Sequence, residues 1–209
     1  MNMRIAAGVA LVLVAPLAGQ AQAKSAPKPI CNLVSDAKAD ETPVADANLD
    51  VVSADLASDA KRITAIIRLN GSPSAIDPAA PNGRYYNISF LGQGADNIVF
   101  FNYVTSPSAS AGVYGHYDPA THVNTGDGDA TVKLGEHTIT MTTSLGNFST
   151  WGGKFKPGAK IAQIDVTAGR MAGAFVNSTV YGYSPQPADD AAASKPYVAG
   201  SRACLKVGG

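Results

Sequence analysis

Apolar and polar residues alternate with a period of two along most of the chain, the spacing of strands half-buried in a sheet. Ile63, Ala65, Ile67 and Leu69 interleave with Arg62, Thr64, Ile66 and Arg68, which places Arg62 and Arg68 on a wet face. Tyr86, Ile88 and Phe90 alternate with Tyr85, Asn87 and Ser89. The run 96–105 (DNIVFFNYVT) is apolar on both faces, as in a central strand or one that presents aromatics outward. Ala130, Val132 and Leu134, then Ile139 and Met141, alternate with threonines and Lys133, and Gly135-Glu136 between them reads as a hairpin turn. Ala162, Ile164, Val166 and Ala168 form another alternating run. Ala174, Val176, Ser178 and Val180 form a further one, and residues 197–207 the last.

No segment beyond the first residues keeps a 3.6-residue apolar period. Residues 144–151 (SLGNFSTW) have room for one helical turn, and residues 183–196 read as an exposed loop. About nine or ten short strands with frequent turn residues predict an all-β domain: a two-sheet antiparallel sandwich, immunoglobulin-like or jelly-roll. Periodicity does not report closure, so a barrel stays open as an alternative.

The two ends add a compartment. Arg4, the apolar run 5–18 and Ala21-Gln22-Ala23 have the charge, length and small-residue cleavage pattern of a secretory signal peptide over residues 1–23. Residues 24–30 (KSAPKPI) form a short lead-in, and 31–209 a single domain. A secreted or periplasmic destination follows, with no membrane-spanning segment after cleavage. Cys31 and Cys204 are the only two cysteines. In an oxidising compartment they pair as a disulfide that clamps the first strand to the last. Sixteen basic residues balance sixteen acidic ones, which excludes the basic footprint of a nucleic-acid binder.

The chemistry is sparse. G-x-S-x-G, H-E-x-x-H and Walker patterns are absent, and two S-x-x-K matches lack their companion motifs. His116, His122 and His137 are isolated in sequence. A carboxylate pair for glycoside hydrolysis is set by three-dimensional spacing and leaves no sequence mark. Asp36, Asp40, Glu41, Asp46 and Asp50 form an acidic loop that either wraps calcium or is simply solvated. Gly126-Asp127-Gly128-Asp129 lacks the full calcium-loop spacing and reads as a turn.

Aromatic residues supply the remaining candidates. Trp151, the sole tryptophan, follows Phe148 in a turn-rich stretch outside any strand pattern. Its indole can stack on a sugar ring or plug one end of a sandwich. Phe148 and Tyr181 are the neighbours proposed to assist it, Tyr181 from a polar–aromatic ladder with Phe175 and Asn177.

Residues 49–59 (LDVVSADLASD) and 62–68 (RITAIIR), with a later Phe155-Lys156-Pro157-Gly158 turn, resemble the early strands and late turn of exported DOMON-like sandwiches. That group includes family-nine carbohydrate-binding modules. The resemblance covers about a third of the chain and implies a β-sandwich with a structural calcium, Asp36 and Asp50 being the matching positions. The leading functional expectation is a non-catalytic extracellular module that binds polysaccharide. The alternatives are a protein-interaction or envelope-structural domain, and a hydrolase with an unmarked carboxylate pair.

Overall fold

The computed structural model describes residues 32–37, 46–74, 80–107, 109–118, 120–121, 123–151, 155–171 and 185–200. Residues 1–31, which include the expected leader, lie outside them, as do both cysteines, Tyr181 and the expected strand at 174–180. In chain order the strands are β1 (Val34–Ser35), β2 (Val51–Ser58), β3 (Arg62–Leu69), β4 (Arg84–Gly92), β5 (Ile98–Thr105) and β6 (Ser110–Asp118). There follow β7 (Val123–Asp129), β8 (Thr131–Leu134), β9 (Thr138–Ser144), β10 (Lys160–Met171), β11 (Pro185–Ala192) and β12 (Tyr197–Val198). A 3₁₀ turn, Leu145–Phe148, is the one helical element among the described residues, in the stretch where the sequence has room for one turn.

Two antiparallel sheets make a sandwich. One runs β1-β2-β3-β9-β8; the other runs β11-β10-β4-β5-β6-β7, with β12 also paired to β10. The expected core faces meet between them. Ile63, Ala65 and Ile67 from the first sheet pack with Tyr86, Ile88, Phe90 and Phe101 from the second in one cluster. The doubly apolar run becomes β5, a central strand between β4 and β6. The Gly135 turn closes the β8–β9 hairpin, with Leu134 opposite Ile139.

Three expectations are corrected. Residues 185–192, read as loop, form β11 at the edge of the seven-stranded sheet. Prolines at 185 and 187 cannot donate to a ladder, but an edge strand leaves one side unladdered and tolerates them. Ala162 is exposed although its run predicted burial, while Ile161 and Ile164 are both buried. The register on β4 slips between Ala162 and Asp165, and Gln163 adopts φ 47°, so a bulge swaps the parity of the strand's beginning. Arg62 is exposed as expected, but Arg68 is largely shielded: its guanidinium Nη1 lies 2.6 Å from the buried Asp55 carboxylate.

Long-range polar contacts tie the ends of the fold to β2. The Leu33 N–H donates to Asp55 Oδ1 (2.8 Å), and the Gly200 N–H donates to Ser58 Oγ (2.8 Å). Across the sandwich, the Val51 N–H donates to Asp189 of β11.

Candidate functional site

The 3₁₀ turn fixes the surroundings of the sole tryptophan. Ser144 caps its start by accepting from the Gly146 N–H, and the Ser149 N–H returns to the Gly146 carbonyl. Phe148 at its end is fully buried. Its ring meets Phe90, Phe101 and Tyr114 edge-on at centroid distances of 5.6, 5.4 and 5.6 Å. Edge-to-face geometry suits rings whose faces are negative and edges positive. This corrects the expectation for Phe148: it anchors the turn in the core and offers no surface to a ligand.

Trp151, three residues on, stays at the surface with 39% of its area exposed. Its indole lies on the imidazole of His116, 4.0 Å between centroids and 10° from parallel. His116 comes from β6 and is nearly buried. Its Nδ1 sits 2.9 and 3.1 Å from the two carboxylate oxygens of Asp127 on β7. An ionised carboxylate only accepts, so Nδ1–H is the donor and the ring is held in one orientation.

The chain geometry at Asp127 explains the contact. Tyr114 pairs with Gly128 and Gly115 with Gly126, so Asp127 has no partner on β6 and is the extra residue of a bulge. A bulge re-aims a side chain, and here the flanking glycines ease the bend. The Gly-Asp-Gly-Asp string is thus the end of β7, not the turn expected from sequence. Sequence reading also missed His116 as a site member, because its partners lie 11 and 35 positions away. The available signal was glycine inside a strand pattern, which marks bulges.

The acidic loop behaves differently from a calcium loop in its described part. Asp46 Oδ2 sits 3.3 Å from both Arg84 Nη2 and Arg170 Nη2. Those two arginines are register partners on β4 and β10, and Asp46 offsets their mutual repulsion. Beside them the Tyr86 phenol donates to the Asn48 carbonyl, and burial pushes its pKa well above the usual tyrosine range. Asp50 is fully buried and accepts from the Asn70 side chain, while Asp36 Oδ1 accepts from the Ala37 N–H. Among the described residues no three His, Cys, Asp or Glu side chains converge on a metal position. Calcium takes six to eight oxygens, more than the carboxylates of Asp36 and Asp50 supply, and Asp40 and Glu41 of the same loop lie outside the described residues.

No protein-family model, curated protein or solved structure matches the chain.

Proposed function

We propose that this is an exported, non-catalytic module that binds polysaccharide through the Trp151 surface. The observation that carries the reading is the stacked pair: an exposed indole whose plane is held against His116, which Asp127 holds in turn. A sugar ring presents a flat patch of C–H groups, and a flat aromatic surface of fixed orientation accepts it without ordering a mobile side chain. No hydrogen bond involves the indole N–H among the described residues, so it can donate to a sugar hydroxyl. Such a platform costs the protein little, because only one large apolar side chain is left out of the core at this point.

The expected ligand is neutral or nearly so, since the indole contributes dispersion and hydrophobic contact and carries no charge. Intrinsic fluorescence tests the proposal directly, because Trp151 is the only tryptophan. Titrating soluble neutral polysaccharides should give a saturable change in emission. An emission spectrum unmoved across a broad panel of glucans, mannans, galactans and xylans would remove the proposal.

A further inference from the structure

We infer a second sugar-binding site on the outer face of the seven-stranded sheet, distinct from the Trp151 surface. A hollow of about 290 Å³ opens there, lined from β4, β5, β6, β7, β10 and β11. The strand register explains its shape. Ser89, Phe100, Gly115 and Gly126 lie side by side across four strands. Two of the four have no side chain, so the Phe100 ring makes the floor. A Cβ at Gly115 would stand 2.7 Å from Phe100 Cζ and 2.1 Å from the Thr125 carbonyl oxygen, so glycine is what lets that ring lie across β6.

The walls are mixed. Ile98 and Tyr117 are register partners on one side, with Asn124 beyond them. On the other side Thr167 and Asn87 are register partners, and Tyr85 stands next to them. Asn87, Ser89, Asn124 and Thr167 make no side-chain hydrogen bond among the described residues, and the first two and Thr167 are half-buried. No lining residue is charged. A buried aromatic floor ringed by uncommitted amides and hydroxyls suits an uncharged ring that carries many hydroxyl groups. The volume sits at the small end of ligand pockets, the scale of one or two sugar units. An anionic ligand would meet no countercharge and would face the carboxylates of Asp165 and Asp190, register partners of Ser89 and Thr167. A purely apolar one would leave the half-buried Asn87, Ser89 and Thr167 unsatisfied. The occupant is therefore a neutral sugar unit. The inference shares its ligand class with the Trp151 reading but needs none of its residues.

Amide-resolved NMR titration separates the two sites. The probes are glucose, galactose, mannose and N-acetylglucosamine, with glucuronate as the charged comparison. Wild type and Trp151→Ala should both show saturable shifts at the amides of Ser89, Phe100 and Gly115 with at least one neutral sugar, and none with glucuronate. Ser89→Phe should abolish them by filling the hollow. Asn124→Ala, at an exposed position that leaves folding intact, should weaken binding about fivefold, the loss of one hydrogen bond. Silence at these three amides with all four neutral sugars would overturn the inference and leave the Trp151 reading standing. Shifts unchanged by both Ser89→Phe and Asn124→Ala, or equal shifts with glucuronate, would overturn it too. Loss of the fluorescence response with these shifts intact would instead remove the Trp151 reading alone.

Discussion

Asp189 and Val51 are joined across the sandwich: the Val51 N–H donates to the Asp189 carboxylate at 2.6 Å, over a sequence separation of 138. Both residues are buried, and the bond links edge strand β11 to the start of β2. A hydrogen bond to a charged group contributes more than a neutral one, and losing it here strands a buried N–H. Asp189→Ala is therefore expected to cost about 1.5–3 kcal/mol, read from urea or thermal denaturation. A change within experimental error would mean that β11 is held without this contact.

The neighbouring ends of the chain carry a second expectation. Leu33 and Gly200 hydrogen-bond to Asp55 and Ser58, three residues apart on β2. Cys31 and Cys204, two residues before the one and four after the other, are therefore proposed to bond in the exported protein. Thiol labelling without reductant should find no free cysteine. Cys31→Ser should lower stability by about 2–4 kcal/mol, because the cross-link restricts the unfolded chain. Two readily labelled thiols in the native protein would contradict the pairing.

Asp165 gives a pH dependence with a definite sign. Its carboxyl sits above the usual aspartate range, first through desolvation and then through repulsion from Asp190. The folded state thus holds this proton more tightly than the unfolded chain does, and the ionised side chain disfavours the fold. That cost is present above the raised folded pKa and fades as pH falls through it toward 3.8. Asp165→Asn should raise the melting temperature at pH 7, with the gain shrinking toward pH 4. The position is exposed, so the effect should stay below about 1 kcal/mol. A gain that grows on acidification would contradict the sign.

Much of the architecture was legible because burial imposes parity. Ile63 to Leu69 and Tyr86 to Phe90 declare their inner faces by alternation, and the two sheets follow from pairing such faces. What was not legible depended on backbone irregularity or on pairing between distant strands. Gln163 shifts parity through a bulge that leaves no hydrophobic signature. Pro185 and Pro187 look like loop residues until the strand is seen to lie at an edge. For the candidate site, the place of Trp151 outside any strand pattern left both a surface platform and a plug at one end of the sandwich open, and only the fold shows it exposed. The His116–Asp127 support did not, because it needs the β6–β7 register and an unpaired residue within it. Phe148 had the same turn-rich context as Trp151 yet points inward, and no periodic signal in so short a turn distinguishes the two.

That distinction is measurable. Phe148→Ala removes a fully buried ring in contact with at least four aromatic neighbours and should cost about 3–5 kcal/mol. Trp151→Ala gives up the stack on His116, about 0.5–1.5 kcal/mol beyond area burial, from a side chain left 39% exposed, and should cost clearly less than Phe148→Ala. Equal losses in the two variants would place the indole in the core's energetics and take it away from ligand binding.

The most direct measurement is retention of the purified protein on insoluble polysaccharides, comparing wild type with Trp151→Ala at a temperature where both are folded. Wild type should be retained on at least one polysaccharide, and Trp151→Ala should be retained markedly less, with no more binding than the separate hollow on the seven-stranded sheet supports, while keeping the same far-ultraviolet spectrum. Retention of the folded variant equal to wild type, or passage of wild type over every polysaccharide tried, would contradict the assignment of Trp151 to a glycan-binding surface.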